Sequence, residues 1–177
     1  MGRVAAIVLA AGEASRFGGP KQRILLPRVL ERLGETPVDE IVVVEGAYSL
    51  EAASYNLLQA PSPRIVSCAE WKRGPGASLR CGIEALGAEV EAAVVVLADG
   101  PNLAPEAVER VLREWKESGG IVAASYEGGR GHPLVLGRAD WADIPDDGLR
   151  DVPVRLVACD DLGPPGDVDT KEDLKTI

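Results

Sequence analysis

The sequence predicts an α/β fold built around a parallel sheet, and three observations carry that reading. Short runs rich in valine and isoleucine alternate with stretches of helical spacing through the first 125 residues. The chain has 177 residues and 46% hydrophobic content, enough for one domain with a substantial core. Glycine-rich or acidic segments follow the first and fourth of those runs, where an open α/β sheet places its ligands.

The predicted strands are residues 3–9, 41–44, 64–67, 92–98 and 121–125, several with the continuous apolar character of strands buried on both faces. Helices are expected near 24–33, 50–58, 77–86 and 105–117, where leucine, valine and isoleucine recur every three or four residues. Strand–helix–strand alternation implies right-handed crossovers between parallel neighbours. From Gly128 onward the pattern changes. Glycine and proline become frequent, one strand is expected at 154–159, and a closing helix from about Thr170. No repeat, linker or low-complexity segment breaks the chain, so residues 1–177 are expected to form a single domain.

The formal net charge is −9, which argues against broad binding of nucleic acid or membrane surfaces, since both need clustered excess Lys and Arg. An anionic ligand must then be met locally. Residues 9–28 hold Arg16, Lys21, Arg23 and Arg28 against Glu13, and residues 69–82 hold Lys72, Arg73 and Arg80 against Glu70. No apolar run approaches the ~20 residues that span a bilayer, and no secretory leader is visible at the N-terminus, so a cytoplasmic location is expected. Cys68, Cys81 and Cys159 have no CxxC or cysteine–histidine metal spacing and read as reduced thiols.

The first strand runs into Leu9-Ala10-Ala11-Gly12-Glu13-Ala14-Ser15-Arg16-Phe17-Gly18-Gly19-Pro20-Lys21-Gln22. Glycines let backbone N–H groups close on phosphate oxygens, and Arg16 and Lys21 supply charge that amides cannot. The segment reads as a loop for a nucleoside triphosphate, although it is neither a GK[ST] phosphate loop nor a GxGxxG fingerprint. After the fourth strand, Asp99 emerges at the rim of the site. It is a natural Mg²⁺ ligand, because that ion takes one or two carboxylates together with phosphate oxygens and water. A second carboxylate can come from Asp167-Val168-Asp169-Thr170, where Asp169-Thr170 followed by Glu172 also resembles a helix cap, so that capping and metal binding can each use one of the two aspartates. The segment Arg73-Gly74-Pro75-Gly76-Ala77-Ser78-Leu79-Arg80 reads as a loop entering a helix, with Ser78 and Arg80 its polar candidates. The lone histidine, His132, lies in a predicted glycine-rich loop beside Arg130.

Together these segments resemble the molybdenum-cofactor nucleotidyltransferases within the MobA-like NTP transferase family. The residues carrying the resemblance are LAAGEASRFGGPKQ at 9–22, GPGASLRCGI at 74–83, LADGPNL at 97–103, GRGHPLVLGR at 129–138 and DVDTKEDL at 167–174. Ala11 in LAAG and the GHP at 131–133 look most like the CTP:molybdopterin cytidylyltransferase branch. The resemblance implies a three-layer α/β/α, Rossmann-like, glycosyltransferase-A-like fold with a mostly parallel sheet. It implies Mg²⁺-dependent transfer of a nucleoside monophosphate, CMP from CTP, to a phosphorylated acceptor such as molybdopterin, with release of pyrophosphate. Handover of product to molybdoenzymes or their chaperones follows from the same likeness.

On this reading Arg16, Lys21 and Asp99 are catalytic, and Asp99 and Asp169 hold the metal. Leu9, Ala10, Ala11, Gly12, Gly18, Lys21, Gly76, Ser78 and Arg80 bind the nucleotide, and Arg130 and His132 line the acceptor side. No dedicated base is needed, because an acceptor phosphate is already largely ionised near neutral pH, its second pKa being about 6. Two departures stand beside the resemblance: a shortened segment after Lys21, and Gly100 where the family commonly shows glutamine. Asp146-Asp147-Gly148 matches an acidic acceptor-side motif only loosely and is given no role. A sugar- or alcohol-phosphate nucleotidyltransferase fits the same residues, and a non-catalytic nucleotide-binding protein or an oxidoreductase could use the fold.

Overall fold

The computed structural model describes residues 2–50 and 61–177. The helix expected at 50–58 lies outside the described residues, apart from Leu50. Seven strands form one sheet: β1 (Arg3–Ala10), β2 (Glu40–Glu45), β3 (Arg64–Ser67), β4 (Val90–Leu97), β5 (Ile121–Tyr126), β6 (Gly129–Gly137) and β7 (Arg155–Ala158), in the order β3-β2-β1-β4-β6-β5-β7. Only β6 runs against its neighbours β4 and β5; the other pairings are parallel.

Alternation along β1 explains the layers. Val4, Ala6, Val8 and Ala10 face helix α1 (Lys21–Gly34) and helix α3 (Pro105–Ser118), packing with Leu26, Leu30, Val108 and Val111. Ile7 points the other way, into a second core with Val42, Val44 and Val95, covered by Leu79 of helix α2 (Pro75–Glu84) and by Ile144 and Leu149. The result is helix, sheet, helix. A small third cluster joins Phe17 of the glycine loop to Leu25 and Val168, so the C-terminal segment packs directly on the loop.

Three expectations need correction. The predicted loop around His132 is the start of β6, whose Ser125↔Arg130 and Tyr126↔Gly129 pairs close a tight hairpin with β5. Its glycines hide the strand pattern: a Cβ on Gly131 would meet the Tyr126 ring at 2.9 Å, so small residues are required there. The closing helix is a single 3₁₀ turn at Asp173–Thr176, because too little chain remains to bury a helical face. Finally, Cys68 and Cys81 are paired in a disulfide, with Cα atoms 5.8 Å apart, and Cys159 alone is free. Thirteen residues of separation gave no recognisable motif; α2 packing beside the end of β3 brings the sulfurs together.

Candidate active site

The central position of β1 assembles the site. Leu9 pairs with Val44 on one side and Leu97 on the other, so the loop after β1 lies beside the ends of β2 and β4. Three cavities meet at Leu9. The first, about 280 Å³, is lined by Gly12, Ser15, Arg16, Lys21, Asp99 and Asp169. The second, about 250 Å³, lies between Ala11, Gly12, Trp71, Pro75 and Ser78. The third, about 480 Å³, is bounded by Leu79, Leu97, Arg130, His132, Leu149 and Arg150.

The loop is held from both ends. Phe17 and Gly18 donate backbone N–H bonds to the Ala14 carbonyl at 3.0 and 3.1 Å, and Phe17 is buried in its cluster with Leu25 and Val168. Gln22 donates its side-chain amide to the Gly12 carbonyl at 2.8 Å. Ideal Cβ atoms on Gly12 and Gly18 would meet nothing within 4 Å, so both glycines face open space, and Gly18 also has a φ of +78°. Backbone can therefore reach a ligand there.

Lys21 sits at the first turn of α1 with its side chain 8% exposed. Its Nζ donates to the Val168 carbonyl at 2.5 Å and lies 3.1 Å from Asp99 Oδ2 and 3.6 Å from Asp169 Oδ1. Arg16 Nη1 reaches the other Asp169 oxygen at 3.2 Å. The Val168 N–H donates to the Asp99 carbonyl at 3.2 Å, which joins the two acidic segments. Capping falls to Asp173: its Oδ2 accepts from the Asp169 and Thr170 amides at 3.0 and 2.7 Å, leaving the Asp169 carboxylate for Lys21 and Arg16. These contacts also hold the Asp173 carboxyl below its ordinary range, Thr170 contributing most. Asp167 is pushed upward, first by burial and then by the negative charges of Asp99 and Asp169, while Lys21 opposes the shift.

Asp99 and Asp169 beside an open phosphate-sized cavity suit Mg²⁺, which needs few protein carboxylates when phosphates and water complete its shell. Among the described residues no cluster of three or more His, Cys, Asp or Glu could hold a metal, so the fit is to a two-carboxylate, ligand-assisted site.

Gly76 and Arg80 lie differently from the predicted nucleotide contacts around them. A Cβ on Gly76 would fall 1.6 Å from the Pro145 carbonyl oxygen, and its N–H donates to the Asp146 carbonyl at 2.9 Å. This glycine seats α2 on the 145–148 turn. Arg80 is bound to the Asp146 carboxylate and donates to the Ile144 carbonyl at 2.5 Å, in a separate hollow outside the three cavities. Arg73 takes the same carboxylate at 2.9 Å, and the two guanidiniums, Arg80 first, hold Asp146 below the usual carboxylate range. Asp146, given no role from sequence, thus clamps the turn that borders the third cavity. The cationic excess at 69–82 was the signal for it: Arg73, just before α2, and Arg80, within it, share one counter-ion. Ser78 is buried and lines the second cavity.

In the third cavity, Arg130 donates to the Arg150 and Val152 carbonyls at 3.3 and 3.1 Å, and burial lowers its pKa. Burial pushes His132 down to about 4; Arg130 adds to the shift and Asp99 opposes it, so the imidazole is neutral near pH 7. Arg150 and Trp71 join the cavities from segments that carry no motif in the sequence, and Asp147 from the Asp146-Asp147-Gly148 segment that was given no role.

The family model described as the MobA-like NTP transferase domain matches residues 6–152. The chain belongs to that family. It is a nucleotidyltransferase by family and fold. The molybdenum cofactor guanylyltransferase of Mesorhizobium japonicum is 30% identical over 156 residues, covering 83% of this chain and 71% of that protein. Rv0371c from Mycobacterium tuberculosis H37Rv is 25% identical with a TM-score of 0.78, covering 98% of this chain and 97% of that one. A structure of Rv0371c in complex with manganese shares the fold, at 24% identity, a TM-score of 0.74 and the same coverage. The mostly parallel three-layer architecture expected from the sequence is therefore the family's own.

Proposed function

We propose that this MobA-like chain transfers a nucleoside monophosphate from a nucleoside triphosphate, CTP by preference, to a phosphorylated acceptor of the molybdopterin class, with Mg²⁺ and release of pyrophosphate. One observation carries the reading: Lys21, Asp99 and Asp169 converge within 3.6 Å at the edge of a cavity floored by the glycine loop. Loop amides from Ala11 to Gly19 cradle the triphosphate, and Arg16 and Lys21 offset its charge. Asp99 and Asp169 hold Mg²⁺, which when bound neutralises phosphate charge and orients the α-phosphate for attack. Leu9, Ala10, Gly12 and Gly18 line the path of the phosphates, while Ser78, Trp71 and the N-terminus of α2 border the base.

The acceptor occupies the third cavity, where apolar walls of Leu79, Leu97 and Leu149 meet Arg130 and His132. Neutral His132 can donate a hydrogen bond to an acceptor phosphate without trapping it as an ion pair, and Arg130 supplies the charge. Catalysis is positioning and charge neutralisation, because the acceptor arrives as its own nucleophile.

The preference for CTP is supported by Ala11, whose methyl group lines the base-side cavity next to Trp71. GTP is the second reading, favoured by the relative named a guanylyltransferase. A cytoplasmic setting, with handover to molybdoenzymes or their chaperones, belongs to the same proposal; the Cys68–Cys81 bridge fits it in a cell whose cytoplasm sustains structural disulfides, as in hyperthermophiles. Among the described residues no helix is long and apolar enough to cross a membrane.

The test is pyrophosphate release with each of the four triphosphates, with and without Mg²⁺ and molybdopterin. CTP is expected to lead, and Asp99→Asn to lower turnover about 100-fold or more while leaving the thermal midpoint unchanged. GTP in first place moves the reading to a guanylyltransferase. Full activity in Asp99→Asn removes that carboxylate from the chemistry.

A further inference from the structure

Lys21 must loosen its ion pairs with Asp99 and Asp169 before its ammonium can turn fully to a triphosphate. An ammonium has three N–H donors and no acceptor. One is committed to the Val168 carbonyl at 2.5 Å, and the charge is paired with Asp99 Oδ2 at 3.1 Å and Asp169 Oδ1 at 3.6 Å. The Lys21 side chain is nearly enclosed, 8% exposed, while Asp99 and Asp169 keep 26% and 43% of theirs open to the cavity side. Asp99 and Asp169 are likewise engaged, and they are the two carboxylates assigned above to the metal. Lys21 is the cation that stands between them, within 3.6 Å of both.

We infer that Lys21 is an internal counter-ion that occupies the metal position in the resting enzyme and leaves it only when a nucleoside triphosphate draws its ammonium toward the phosphates. This rests on the proposed nucleotidyltransferase reading and adds regulation to that site. The carboxylates bind a divalent cation weakly while Lys21 is seated and strongly once it has moved. Nucleotide and metal then arrive together, and neither alone completes the site. The exchange keeps the carboxylates compensated: one ammonium leaves them for the triphosphate, and a dication with bound phosphates takes its place. Val168 is suited to relay the change. Its carbonyl accepts from Lys21, its N–H donates to Asp99, and its side chain packs on Phe17 of the glycine loop.

Mn²⁺ is the probe, its free concentration read by electron paramagnetic resonance. Wild type and Lys21→Met are titrated with Mn²⁺ alone and with Mn²⁺ plus a non-hydrolysable CTP or GTP analogue, after circular dichroism has compared their folds. Lys21→Met is expected to bind Mn²⁺ without nucleotide about tenfold more tightly than wild type, and to gain less from added nucleotide. Equal nucleotide-free affinities in the two proteins would overturn the inference while leaving the transferase reading intact, provided that wild type takes up Mn²⁺ with the analogue. Failure of wild type to bind Mn²⁺ under either condition overturns both. A second measurement on wild type alone covers a Lys21→Met that does not fold. Lysine-selective NMR is expected to show a protected Lys21 ammonium signal that persists in millimolar Mg²⁺ and shifts when the analogue is added with Mg²⁺. A signal that does not respond to Mg²⁺ and analogue together, or that is displaced fully by low Mg²⁺ alone, overturns the inference.

Discussion

Replacing Gly76 with alanine tests whether the start of α2 is a packing joint between the cavities. A Cβ there would sit 1.6 Å from the Pro145 carbonyl oxygen and 2.8 Å from the Gly148 nitrogen, both backbone atoms that cannot rotate away. Reaching even 3.0 Å, a distance real Cβ contacts rarely undercut, requires the turn or the helix to move by about 1.4 Å. That movement breaks the 2.9 Å bond from the Gly76 amide to the Asp146 carbonyl, worth about 1 kcal/mol, and adds overpacking strain of roughly 1–3 kcal/mol. The expected loss is about 2–4 kcal/mol in urea unfolding, with weaker triphosphate binding as Pro75 and Ser78 shift. Gly12→Ala is the control, because nothing lies within 4 Å of its Cβ. It should change stability by less than about 0.5 kcal/mol yet weaken triphosphate binding, since the methyl group occupies ligand space. A loss below about 1 kcal/mol at Gly76 would refute the reasoning, for it would mean that the 145–148 turn yields freely.

Three further outcomes follow from particular groups. His132 has a folded pKa near 4 against an ordinary 6.5, so its neutral form is favoured by folding; this stability is complete above pH 6.5 and is lost as pH falls toward 4. Between pH 7 and 4, wild type should lose roughly 1–3 kcal/mol more than His132→Gln in parallel urea titrations, and equal slopes would show that the imidazole is not shielded. Thiol labelling in denaturant should find one reactive cysteine, Cys159, without reductant and three with it; three at the outset would remove the disulfide. In Asp99→Asn, pyrophosphate release should collapse while unfolding is unaltered, because that side chain is partly exposed and contacts Lys21 at the cavity edge.

The elements with strong period were legible in the sequence. β1, β2, β3, β4 and β5 fall within a residue or two of expectation, since valine- and isoleucine-rich runs flanked by polar turns leave few alternatives. The glycine loop, Lys21, Asp99 and Asp169 were legible as a set because their chemistry repeats across them: cations and flexible backbone for phosphate, carboxylates for a metal. β6 was not. Gly129, Gly131 and Pro133 carry no β signal, and the strand exists because β4 and β5 offer it hydrogen bonds on both sides. Arg80 was legible as a cation but its partner was not, for a basic residue on a helix beside a glycine turn looks the same whether it faces a ligand or Asp146.

The sequence by itself determined the alternation of strands and helices, the apolar faces that bury them, and the inventory of groups able to meet a triphosphate. These follow from spacing and side-chain chemistry, which are local. Only the tertiary structure decided which groups meet. Asp169 lies 148 residues from Lys21 and joins it because Val168 is buried against Phe17 and Leu25. Asp146 finds Arg73 and Arg80, and Cys68 finds Cys81, through the packing of α2 on the sheet. Such contacts depend on loop closure across long stretches of chain, and no local pattern encodes their partners.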